Sequence, residues 1–147
     1  MSDIECDISE WTDFDKDLLT FIEETMPIET KKFMRREGGK NRTVSRRTAR
    51  STVRKKTGNY LKSISASRAW RNSQGGYGVY IYTSRPPGFH AHLIEYGHEV
   101  YIRGKPTGKQ TRAFRIMERG NQLFRSTFWG DTEKFIHKLV DNGLKGR

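Results

Sequence analysis

The chain has 147 residues, enough for one domain with a real core. No run of eighteen apolar residues is present, which excludes a hydrophobic membrane-spanning helix, and a single cysteine, Cys6, excludes an internal disulfide and suits a reducing compartment. The formal net charge of +11 is unevenly divided: residues 1–30 carry ten acids and one base, and the remainder carries 27 bases and seven acids. A basic body of this kind attracts nucleic acid or an acidic protein surface, and the acidic N-terminus of a second copy is one such surface.

The acidic start at Asp3, Glu5 and Asp7 lacks the basic and apolar regions of a secretory signal. Residues 9–26 read as an amphipathic helix, with Trp11, Phe14, Leu18, Phe21 and Ile22 on one face and Ser9 or Thr12 as its cap. Pro27 is expected to end or kink it, and Gly38-Gly39 to stop a short continuation through Phe33 and Met34. Residues 38–57 hold Lys40, Arg42, Arg46, Arg47, Arg50, Arg54, Lys55 and Lys56 and few apolar residues. Like charges four apart oppose a helix, so this stretch reads as a mobile basic arm within the single domain 1–147.

A β-rich middle follows. Strands are expected in 61–70 and 77–83, joined by a turn at Asn72-Ser73-Gln74-Gly75-Gly76. A helical turn at Ala91–Tyr96, a short strand at Glu99–Arg103 and a tight loop at Gly104–Gly108 come next. Phe114, Met117, Phe124 and Phe128 then form a helical stripe that Gly130 interrupts. Asp131 or Thr132 caps a last helix with Phe135, Ile136, Leu139 and Val140 inward, and Gly143 suits its C-terminal stop. The order describes an α+β domain: a small antiparallel β-sheet with N-terminal and C-terminal helices packed on one face and a long basic loop.

Few residues invite chemistry. His90, His92, Glu95 and His98 lie within nine residues, but neither strand nor helix geometry gathers all four, and the spacing matches no paired zinc pattern. Cys6 sits among acids that disfavour a thiolate, and no serine occupies a G-x-S-x-G elbow. The basic stretch suits a phosphate backbone without base reading, because little aromatic residue interleaves it; pairing with an acidic neighbour is the competing reading.

Three short patterns carry a resemblance. The first is Thr57-Gly58-Asn59-Tyr60-Leu61-Lys62-Ser63-Ile64, the second Ala91-His92-Leu93-Ile94-Glu95-Tyr96-Gly97, and the third Arg112-Ala113-Phe114-Arg115-Ile116-Met117. In this order and spacing they resemble the tail-completion, or head–tail joining, family of tailed bacteriophages. His98 and Ala113 depart from the threonine and proline that the family often has there. Thr57, Gly58, Leu61, Glu95, Tyr96, Gly97 and Phe114 are the structural or interface residues that the resemblance singles out. Gly58 and Gly97 suit positive φ at sharp turns, and Tyr96 and Phe114 are expected to anchor the turn to the last helix.

The resemblance implies a non-enzymatic virion protein without metal or cofactor. It implies a hexameric, homo-oligomeric ring at the neck that completes the tail, present in the host cytoplasm during assembly. Its partners would be the tail tube or tail terminator protein and the head connector proteins. Genomic DNA would pass through the lumen, and no membrane is involved. Two other classes compete: a sequence-independent nucleic-acid-binding protein, and a metal-dependent hydrolase using His90, His92 and Glu95.

Overall fold

Helical periodicity in the N-terminal third continues well beyond its apolar residues. In the computed structural model, which describes residues 8–54 and 57–145 and side chains from Asp13 onward, α1 (Ile8–Thr20) passes through a π-helical turn (Phe21–Thr25) into α2 (Met26–Thr52). Ser9 and Thr12 therefore lie inside the helix rather than at its cap. Pro27 does not end it. The Met26 N–H bonds to the Phe21 carbonyl, and this wider turn gives room where the proline ring would otherwise meet a carbonyl one turn back. The side chain of Trp11 and residues Cys6, Lys55 and Lys56 lie outside the described residues.

The expected basic arm is corrected most strongly, since residues 38–52 are α-helical. The helix holds because its inner face is built from small residues. Gly38, Ser45, Thr48 and Ala49 are buried, and α5 (Ile116–Leu144) packs against them along much of α2. Gly120 meets Ser45 so closely that a Cβ has no room there, and Gly38 meets Val79 in the same way. Close approach at glycines buries helix surface without large side chains on α2, so a search for bulky apolar residues overlooks it.

The helices α2 and α5 run antiparallel. Phe33 stacks on Phe135 with ring centroids 4.4 Å apart, Asn41 donates to Asn121, and Arg119 donates to Thr52. Gly130 does not interrupt α5, and Asp131 pairs with Lys40 at 2.5 Å instead of capping a second helix. Lys40 also reaches the buried Glu37 at 2.9 Å. Its hydrogen bonds to Asp131 and then Glu37 raise the Lys40 pKa, and the same ammonium lowers that of Asp131. Gly143 lies within the helix rather than beyond it.

The middle is α+β, with three two-stranded antiparallel sheets rather than one. Residues 61–63, expected as the start of a strand, belong instead to α3 (Asn59–Ser63), and Gly58 before it takes φ 76. β1 (Ile64–Ala66) pairs with β4 (Ile81–Thr83), and β2 (Trp70–Arg71) with β3 (Tyr77–Gly78). The Ser67 N–H donates to the Tyr80 carbonyl at 2.9 Å, which joins the two ladders into one bent hairpin. Its expected turn is present: Asn72 Oδ1 accepts the N–H groups of Gln74 and Gly76. After α4 (Ala91–Tyr96), β5 (Glu99–Ile102) pairs with β6 (Lys105–Gln110), so the expected loop at 104–108 is mostly strand. The core joins Ala49, Tyr60, Ile64, Ala91 and Ile116, with Leu61, Ile94, Phe114 and Met117 packed around it.

Candidate functional site

The three sequence patterns meet at one side chain. α4 turns Glu95 inward, where only 8% of it is exposed. A buried carboxylate requires donors, and it has two. The Tyr60 hydroxyl, from the first pattern, donates to Glu95 Oε1. The Met117 N–H, from the third, donates to Oε2 at 3.4 Å. Backbone bonds reinforce the junction: the Phe114 N–H donates to the Ile94 carbonyl at 3.0 Å, and the Arg115 N–H to the Glu95 carbonyl at 3.1 Å.

Burial, and then the bond to Glu95, push the Tyr60 phenol well above its ordinary pKa of 10.0. Both causes keep it protonated and therefore a donor. Glu95 also does for α5 what no residue of that helix does. The residue before α5, Arg115, makes no side-chain cap and sits at φ 46, so the carboxylate from α4 meets the positive end of the helix. Gly97 follows α4 at φ 72, and a Cβ there would stand 2.5 Å from the Thr111 carbonyl oxygen. The positive φ expected of Gly58 and Gly97 is thus observed.

Thr57 Oγ1 accepts the Asn59 N–H at 3.3 Å, ahead of α3. Leu61 and Phe114 are half-buried against the core, and Phe114 precedes α5 by two residues. Tyr96 is corrected: it is 78% exposed and anchors nothing, because α4 devotes its inward positions to Ala91 and Glu95. Tyr60, although inside the first pattern, was not singled out from sequence, because nothing local links it to Glu95, 35 residues further on.

The histidines do not converge on Glu95. His98 Nδ1 lies 3.0 Å from Thr111 Oγ1, His92 is exposed, and His90 borders a cleft of about 520 Å³ with Arg54 and Thr57. Among the described residues no group of three or more His, Cys, Asp or Glu side chains is placed to hold a metal ion.

The arginines of the second half of α2 divide by role. Arg46 is half-buried, and its guanidinium donates to the carbonyls of Ile64 and Lys62, tying α2 to the start of β1. Arg42, Arg47, Arg50 and Arg54 are exposed. Arg47 and Arg50 lie on the arc opposite Gly38, Ser45 and Ala49, Arg42 stands one turn after Gly38 at the edge of the packed face, and Arg54 follows the end of α2. Among the described residues none of these four has an acidic partner within salt-bridge distance.

A second surface lies at the far end of the helices. An apolar groove of about 560 Å³ runs between the α1–α2 helix and the C-terminal half of α5, lined by Leu18, Ile22, Met26, Phe135, Ile136 and Val140. Ile136 and Val140 were expected inward, but they are 52% and 48% exposed on this groove. No protein-family profile matches the chain, and neither a curated protein nor a solved structure matches it.

Proposed function

We propose that the chain is a non-enzymatic structural protein of a tailed-phage virion. It completes the tail and joins it to the head connector as a subunit of a ring around the DNA channel. The observation that supports this reading most is the meeting of the three family-like patterns at Glu95, Tyr60 and Met117. Residues that resemble a family signature are, in this fold, the ones that lock α3, α4 and α5 together. The open groove and the unpaired arginines on and just after α2 give such a subunit surfaces for a protein neighbour and for DNA in the lumen.

Replacing Arg42, Arg47, Arg50 and Arg54 with glutamine tests the role without touching a buried residue. The folded variant is expected to accumulate separate heads and tails in a phage assembly assay. Normal yields of infectious particles would remove the arginines from head–tail joining, and absence of the chain from purified particles would overturn the reading itself.

The same four arginines favour a second reading, sequence-independent nucleic-acid binding. Tight duplex binding by the isolated chain, weakening steeply with salt, would support it over the first.

A further inference from the structure

The β5–β6 hairpin stands apart from the body: its extensive packing is strand against strand. A lone two-stranded hairpin is marginal in water, yet this one presents Tyr101 and Ile102 at 60% and 62% exposure. Arg103, Lys105 and Lys109 surround them, and Glu99 is its one acid. The groove at the other end of α5 has the opposite character. An acidic notch containing Asp17, Glu24 and Glu29 borders it and shares Phe21, Leu139 and Gly143 with it; Lys145 is the one base there. Glu29 is paired with Lys32 at 2.7 Å, whereas Asp17 and Glu24 have no basic partner among the described residues.

The two surfaces cannot meet within one molecule as folded. The hairpin joins the body beside Ile116, and Ile136 lies about 30 Å further along α5 by helical rise. We propose that the β5–β6 hairpin of one copy docks in the apolar groove of the next. Tyr101 and Ile102 enter between α1–α2 and α5, and Arg103, Lys105 and Lys109 face Asp17 and Glu24. The two patches differ, so the contact is head-to-tail and either closes into a ring or propagates. The inference deepens the ring reading and rests on it for the number of copies; the contact itself rests on the two surfaces.

Disulfide trapping with the full chain tests it. In a Cys6→Ser background, Ile102→Cys and Ile136→Cys chains are mixed at rising concentration under mild oxidation. The mixed dimer is expected at least tenfold above that of an Arg68→Cys and Ile136→Cys control. Reversing the hairpin (Arg103→Glu, Lys105→Glu, Lys109→Glu) is expected to abolish the excess. Reversing the notch as well (Asp17→Lys, Glu24→Lys) is expected to restore it, an outcome that mere damage to the fold cannot produce. A Tyr101→Ser, Ile102→Cys chain, which keeps every charge, is expected to trap several-fold less.

Trapping no better than the control, or unaffected by the first reversal, would overturn the contact. So would a reversed hairpin that loses duplex DNA binding while trapping is unchanged, because the hairpin would then serve nucleic acid. Presence of the chain in particles together with failed trapping would leave the virion role standing and sink this contact alone.

Discussion

The two ends of α5 solve opposite problems. At its N-terminus, Glu95 gives a partner to Tyr60 and to the Met117 N–H, and Ile116 beside them is fully buried. At its C-terminus, Ile136, Val140 and Leu144 are 48% to 60% exposed along a groove. The first end is closed by polar groups that satisfy one another, and the second is apolar, with none of the described residues filling the groove between its helices. The difference teaches where stability and association reside. Substitution at the closed end should unfold the protein, and substitution at the open end should change what it touches.

Glu95→Ala should produce the largest effect. It leaves the Tyr60 hydroxyl and the Met117 N–H without their acceptor and opens a cavity, so a loss of roughly 3 kcal/mol is expected, measured as a fall in the urea midpoint. A loss below about 0.5 kcal/mol would show that water replaces the carboxylate and that the end is not closed.

Tyr60→Phe sharpens the same point through pH. The phenol is held above its ordinary value of 10.0, so the folded state binds this proton more tightly than the unfolded chain. Its contribution is full below pH 10 and is lost as pH rises through the folded value. Wild-type stability should therefore decline as pH rises above 10, and the phenylalanine variant should decline with a shallower slope. At neutral pH the variant should lose about 1–2 kcal/mol for the unpaired carboxylate oxygen. Parallel slopes in alkaline denaturation would mean that Tyr60 is not the titrating group.

The smallest effect belongs to the open end. Ile136→Ser with Val140→Ser should move the midpoint by less than about 0.5 kcal/mol, since each side chain is about half exposed. A larger loss would mean that the groove is part of the core rather than a surface.

Local chemistry made part of this legible in the sequence. The turn at Asn72–Gly76, the positive φ of Gly58 and Gly97, and the helix of α4 all follow from what a few adjacent residues permit. The α+β class followed from their order. What stayed hidden depends on partners distant in sequence. Residues 38–52 look unable to form a packed helix until Gly120 and Val79 are placed against them. Arg46 looks like one more surface charge until the carbonyls of β1 come within its reach. Tyr96 was misjudged for a related reason: its size suggested burial, but the inward positions of α4 were already taken by Ala91 and Glu95.

The wide turn at Phe21–Thr25 has a consequence for the groove. In an α-helix, residues four apart drift round the axis by about 40° per step, so a row of them soon leaves the side on which it began. Leu18, Ile22, Met26 and Thr30 are spaced by four, and all line the same groove. The π turn takes up the surplus residue, and the drift is cancelled in the middle of the row. It acts as a phase correction: one irregular turn keeps a mis-spaced apolar row in line with the C-terminal half of α5.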